Sequence, residues 1–173
     1  SLAHGTIIAS FTIEAFSLSR LESLTRERIT PVIAQRTERG LEQAAHKRSS
    51  RWRKILKESS QQCRRWRLPE LTELEEFARA LQRRDQFRYF FDESAAIPIM
   101  TQLPPRCTPD DTVSVLIGPE GGWTDPERQL AADAQWIPVS LGGRILRAET
   151  AATASLAVLQ AAWSSSLPSS STT

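Results

Sequence analysis

An α/β fold with a mainly parallel sheet and helices on both faces is the architecture this chain predicts. Three observations predict it. Short apolar runs alternate with helix-like segments along most of the 173 residues, the order that builds layered α/β domains. Val113-Ser114-Val115-Leu116-Ile117 is nearly continuous in apolar character, as befits a parallel strand covered on both faces. Thr124 and Glu127 stand at capping-box spacing soon after it, so this strand leads through a short loop into a helix.

The elements follow in order. Thr6 to Ala9 reads as a short strand, and Ile13 to Leu24 carries rough helical periodicity. Arg28 to Ala34 reads as a strand through Ile29, Val32 and Ile33, with Pro31 near its start or on an irregularity. Gly40 and the polar residues after it break the pattern. Ser49 or Ser50 caps a helix that runs through Trp52, Ile55 and Leu56 to about Arg65 and is stopped by Pro69. Leu71 to Leu81 is expected as a second helix, with Leu74, Phe77, Ala78 and Leu81 on one face. Phe87 to Phe91 is an aromatic strand ending at Asp92-Glu93, and Pro104, Pro105 and Pro109 mark a loop. After Val113–Ile117 comes a helix from Asp125 to about Ala134, then a short strand at Trp136 to Val139. Ala148 to Trp163 is alanine-rich and helical, burying Leu156, Leu159 and Trp163. The last ten residues hold six serines, two threonines and a proline, too little apolar surface to order themselves. The expected organisation is one domain over residues 1–163 and a disordered tail over 164–173.

Composition narrows the function classes. With 40% hydrophobic and 24% charged residues, the chain builds one real core and not two large ones. A net charge of +2 gives no nucleic-acid signal by itself. Cys63 and Cys107 provide neither metal spacing nor a disulfide framework, so a reducing, cytoplasmic compartment and no metal are expected. No apolar run is long enough to span a membrane, and no signal peptide is visible.

Two glycine-containing segments carry the chemistry. Leu116-Ile117-Gly118-Pro119-Glu120-Gly121-Gly122 leaves the carboxyl end of the buried strand, where open α/β sheets bind ligands. It lacks the Gly-Lys-Ser/Thr ending of a phosphate P-loop and the Gly-x-Gly-x-x-Gly of a dinucleotide site; alone it is equally a tight strand-to-helix turn. Leu141-Gly142-Gly143-Arg144-Ile145-Leu146-Arg147-Ala148-Glu149-Thr150 follows the next strand. There Leu141, Ile145 and Leu146 can wall an apolar slot, and backbone near Gly142 and Gly143 can read the edges of a flat heterocycle. Arg144, Arg147 and Glu149 put charge beside that slot, although solvated arginines and a helix-start carboxylate explain the same pattern.

A third feature is local. Residues 46–67 hold nine Lys and Arg against one acid, Glu58, with Trp52 and Trp66 interleaved. Cations at this density neutralise phosphates and tryptophans stack on bases, or the segment is a solvated helix face with two core tryptophans.

Together and in this order, the two glycine loops resemble the S-adenosylmethionine site of the RsmE family, SPOUT-class enzymes that methylate N3 of a uridine in small-subunit (16S) ribosomal RNA. The resemblance extends from about Arg28 to Trp163. It takes in Ile29 to Arg36, a strand ending in a polar, arginine-containing segment. It also takes in Arg51-Trp52-Arg53-Lys54-Ile55 with Glu58, Gln62 and Arg65, then Pro69-Glu70, and the strand end Phe91-Asp92-Glu93. It implies a SPOUT domain whose C-terminal segment threads a trefoil knot, a rare exception to topology rules, and a homodimer with its active site near the interface. The family's N-terminal PUA-type RNA-binding domain is expected to be absent, since 173 residues do not hold it beside a catalytic domain. Residues 1–28 lack the family's Leu-Pro-Lys-Gly segment and Glu-Leu-Gly turn.

The implied activity is S-adenosylmethionine-dependent methylation of uridine N3 in 16S ribosomal RNA. Leu116, Ile117, Gly118, Pro119, Glu120, Gly121, Leu141, Gly142, Ile145 and Leu146 would build the cofactor pocket. Arg147, then Arg144, would stabilise charge on the uracil edge, with Glu149 as orienting partner. Arg36, Arg51, Lys54 and Arg65 would hold the RNA. Alternatives are another SPOUT enzyme acting on a ribose hydroxyl or a tRNA guanine, a non-catalytic RNA-binding module, and a ligand-binding domain without an RNA role.

Overall fold

The structure, a computed structural model, describes residues 7–11, 27–36, 50, 53–54, 57, 70–95, 97–105, 111–119, 121–142 and 148–165. The strands are β1 (Ile7–Phe11), β2 (Glu27–Ile33), β3 (Glu70–Leu71), β4 (Glu75–Glu76), β5 (Phe87–Phe91), β6 (Val113–Ile117) and β7 (Ile137–Val139). The helices are α1 (Phe77–Ala80), α2 (Asp125–Asp133) and α3 (Ala148–Ser165), with a 3-10 turn at Ile99–Thr101. One sheet joins β1 to β2, and β2 to both β3 and β4; the other has the order β6-β5-β7. Among the described residues only the β1–β2 pairing is antiparallel. A mainly parallel sheet is therefore what forms.

Two-residue periodicity splits the second sheet into two faces. Tyr89, Phe91, Val113, Val115, Ile117 and Val139 point one way and pack with Leu159 of α3. Phe90 and Leu116 point the other way, into a cluster with Val32, Phe77 and Ala80 of α1, Trp123, Ala131 of α2, and Trp136. Helices thus cover both faces, and all five residues of β6 are buried. Burying each such aliphatic or aromatic side chain contributes roughly 1.5–3 kcal/mol.

Local chemistry explains the borders. Pro31 lies inside β2, opposite Ile7 of β1. On the other side of β2, β3 pairs at Arg28 and Ile29 and β4 at Val32 and Ile33. The residue without an N–H thus falls in the gap between two partners, the irregularity its sequence position suggests. Thr124 caps α2 with the full reciprocal box to Glu127. Gln135, at φ 60°, ends that helix in the left-handed region, and the Trp136 indole N–H donates to the Leu81 carbonyl at 3.0 Å.

One expected element is corrected. Leu71 to Leu81 is not a single helix: residues 70–71 and 75–76 are extended along β2, and only Phe77–Ala80 is helical. Phe77 and Leu81 are buried as expected, but Ala78 is exposed. Parallel pairing to β2 and a hydrogen bond from the Thr72 hydroxyl to the Thr30 hydroxyl (2.9 Å) outweigh the helical spacing of the leucines. Smaller differences are that β1 runs to Phe11 and α3 to Ser165, two residues past Trp163. The expected helix at 13–24, most of the basic helix, Pro109, the tail beyond 165 and the segment 143–147, on which the knot expectation bears, lie outside the described residues. Among the described residues, no helix is long and apolar enough to cross a membrane.

Candidate functional site

The register of β6-β5-β7 aligns Phe91 with both Ile117 and Val139, so all three parallel strands end at one sheet edge. The described parts of the loops that follow them, at 92–95 and 97–98, 118–119 and 121–124, and 140–142, are gathered there. The order matters: the glycine loops after β6 and β7 stand on either side of the turn that leaves the central strand β5. A crevice at the carboxyl ends of parallel strands is where such sheets hold ligands.

The loop after β6 is shaped by what lies around it. Gly122 has φ +68°, and its N–H donates to the Pro119 carbonyl at 2.9 Å, closing a turn that an L side chain would strain. A Cβ there would also stand 2.9 Å from Glu93 Oε1. Arg36, exposed just past β2, donates from Nη1 to the Gly121 carbonyl at 2.6 Å. The Gln35 N–H donates to Glu127 Oε1 at 2.7 Å, while Glu127 Oε2 accepts from the Thr124 N–H at 2.8 Å. One buried carboxylate therefore caps α2 and anchors the end of β2 together.

The turn after β5 is held more tightly still. Asp92 accepts from Arg128 through both oxygens, Nε to Oδ2 at 2.6 Å and Nη2 to Oδ1 at 3.2 Å. It also accepts from the Ser94 N–H (3.1 Å) and hydroxyl (2.8 Å). Burial pushes the Asp92 carboxyl up, but the bonds from Arg128 and Ser94 and the guanidinium charge together hold it below the usual aspartate value. The Asp92 bond in turn raises Arg128, against the effect of burial. The Asp92 N–H reaches the Val139 carbonyl at 3.0 Å, and the Ser140 N–H reaches the Ile97 carbonyl at 2.8 Å, which ties this turn to the start of the loop after β7. In that loop Gly142 is exposed at φ +116°, and among the described residues, its chain neighbours aside, no atom stands within 4 Å of where a Cβ would be.

The sequence-derived site residues do not all meet at this edge. Gly118, Pro119, Gly121, Leu141 and Gly142 are brought to this edge, and Arg36 is beside Gly121 rather than on a separate basic surface. Leu116 and Ile117 send their side chains into the two hydrophobic clusters, so what they can offer a ligand is backbone. Glu120, Arg144, Ile145, Leu146, Arg147, Arg51 and Arg65 lie outside the described residues; Glu149 is in the first turn of α3, but its side chain is not described. Lys54 is helical and exposed, like Arg53 and Lys57. Among the described residues no three His, Cys, Asp or Glu side chains converge as a metal site.

Sequence reasoning missed Arg128. A signal was present: it is the one cation in an otherwise acidic first turn, with Asp125 and Glu127, and a cation near a helix N-terminus opposes the macrodipole unless an anion meets it.

Comparison with known proteins agrees with this geometry. A family model described as an RNA methyltransferase domain matches residues 15–160. The chain is 33% identical over 133 residues to the ribosomal RNA small subunit methyltransferase E of Synechocystis, covering 72% of this chain and 42% of that protein. The fold is similar to a Legionella pneumophila putative methyltransferase solved with bound cofactor SAM (TM-score 0.68, 32% identity, 78% of this chain and 55% of that one). It is equally similar to a Neisseria gonorrhoeae ribosomal RNA small subunit methyltransferase E bound to S-adenosyl methionine (TM-score 0.67, 32% identity, 78% and 54%). The chain spans about half the length of the relatives it matches. Gly121 and Gly142 leave backbone exposed in the two loops, polar groups of the kind that read the edges of a flat heterocycle.

Proposed function

Because this chain belongs to the RNA methyltransferase domain family, we propose that it is an S-adenosylmethionine-dependent ribosomal RNA methyltransferase that acts on N3 of a uridine in 16S ribosomal RNA. One observation carries the reading: two glycine loops flank the end of the central parallel strand at a single sheet edge. The names and bound cofactors of the similar proteins support it.

S-adenosylmethionine supplies a methyl group already activated on its sulfonium. The chain's part is to orient that group and help N3 lose its proton. Backbone of Gly118, Pro119, Gly121 and Gly142, with Leu141, Ile145 and Leu146, holds the cofactor. Arg147 stabilises negative charge growing on the uracil edge, with Arg144 as second candidate. Glu149, at the start of α3, orients the arginine, and Glu120 positions base or cofactor. Arg36, Arg51, Lys54 and Arg65 neutralise RNA phosphates. For Arg36 the support is its exposed guanidinium, fixed to the Gly121 carbonyl. The working form is a cytoplasmic homodimer on the small ribosomal subunit, on the strength of the resemblance and of two cysteines without disulfide spacing.

Calorimetric titration with S-adenosylhomocysteine tests the cofactor half without RNA. Binding near one molecule per chain is expected, and a folded sample that takes none overturns the reading. Mapping the methylated atom in treated 16S ribosomal RNA tests the substrate half; a ribose hydroxyl or a guanine in the product moves the chain to another SPOUT activity.

A further inference from the structure

We propose that Arg128 is a positioning residue for the cofactor site: its two-pronged grip on Asp92 fixes the turn that separates the two glycine loops. The inference rests on the cofactor reading above and adds a residue to it.

The strand order is the starting point. In β6-β5-β7 the central strand ends at Phe91, so a ligand that touches both glycine loops crosses the backbone of Asp92, Glu93 and Ser94. The height and tilt of that turn set the gap between the loops. β5 has ended there, so other contacts hold the turn. Among the described residues these are the Asp92 N–H on the Val139 carbonyl, the Ala95 N–H on the Asp92 carbonyl, the Ser140 N–H on the Ile97 carbonyl, the Ser94 bonds onto the Asp92 carboxylate, and Arg128 on both carboxylate oxygens. Of these, only the Arg128 bonds connect the turn to α2.

Arg128 is suited to this. A guanidinium fork on a carboxylate fixes orientation as well as distance. Its third bond, Nη1 to Asp125 Oδ1 at 2.9 Å, holds the fork against its own helix. That helix is in turn locked to the glycine loop through Thr124 and to the end of β2 through Glu127. The first turn of α2 therefore registers three strand ends against one another, and Arg128 is its link to the central one. Glu93, next to Asp92, has its carboxylate against Gly122, so movement of the turn reaches the first glycine loop directly.

The test is S-adenosylhomocysteine affinity of the full 173-residue chain, read beside thermal unfolding, for Arg128→Met, Asp92→Asn, the double variant and Arg128→Lys. Each of the first two is expected to weaken binding about tenfold, since small displacements in a positioned site are costly. The double variant is expected to lose no more than Asp92→Asn alone, because the contact that Arg128→Met removes is already broken in it. Arg128→Lys, with charge but no fork, is expected to recover part of the affinity. Wild-type affinity in folded Arg128→Met and Asp92→Asn overturns the inference and leaves the cofactor reading standing. Should Arg128→Met not fold, Arg128→Lys decides: a severalfold loss supports the role and wild-type affinity overturns it. A folded wild-type chain that binds no S-adenosylhomocysteine overturns the cofactor reading, and this inference with it.

Discussion

Trp123 lies so close against Gly118 that a Cβ on the glycine would stand 2.8 Å from the indole Nε1. That same indole N–H donates to the Phe91 carbonyl at 2.8 Å, inside the core. The last residue of the central strand and the first residue of the glycine loop are therefore spaced by one buried side chain. The ring also stacks on Phe90, with centroids 4.7 Å apart.

Gly118→Ala is expected to push the indole off the Phe91 carbonyl. Overpacking of this kind costs about 1–3 kcal/mol. Urea unfolding of the variant measures the stability loss, and S-adenosylhomocysteine titration should show weaker binding, since the loop that moves is the proposed cofactor loop.

Trp123→Phe keeps an aromatic ring but removes the donor. The Phe91 carbonyl loses a buried partner, which costs about 1–3 kcal/mol, with a further loss from the smaller ring. Chemical denaturation should place this variant below wild type, with the unfolding slope unchanged.

Asp92 makes stability depend on pH in a definite direction. Its folded-state carboxyl is held below the ordinary 3.8, so the native state favours the ionised form. The resulting stability is fully present above 3.8 and is lost as pH falls through the lower folded value. Arg128→Met removes the main lowering contact. The stability gap between wild type and this variant should be widest at neutral pH and narrow as pH falls well below 3.8; denaturation curves across that range measure it. A gap that is constant with pH would mean that the pair is not the source.

Glu127→Ala should cost more than an exposed cap. Losing a capping interaction costs about 0.5–2 kcal/mol, and here the Gln35 N–H loses its carboxylate as well. Thermal unfolding should fall accordingly, whereas Gln129→Ala, which removes only an exposed i,i+4 bond to Asp133, should leave it nearly unchanged.

Arg147→Ala is expected to leave S-adenosylhomocysteine affinity within about threefold and to abolish methyl transfer, the pattern of a group that acts on charge developing in the transition state. Single-turnover assay on 16S ribosomal RNA checks it. Unchanged turnover would remove Arg147 from the mechanism.

Elements that neighbouring residues encode are readable in the chain before it folds. The aromatic run 87–91, the apolar run 113–117 and the Thr124–Glu127 box each specify an element from within a few positions, and each is found where expected. The same local reading located the two glycine loops. Extended segments are different, because their hydrogen-bond partners lie elsewhere in the chain. Residues 70–76 have helical spacing but run along β2, where Thr72 meets Thr30 across 42 positions. The tertiary structure alone decided that contact, the Asp92–Arg128 pair 36 positions apart, and the gathering of three loops at one edge. Strand pairing and long-range ion pairs draw their energy from surfaces that no short window contains, and for that reason the loops were legible while the residues that hold them together were not.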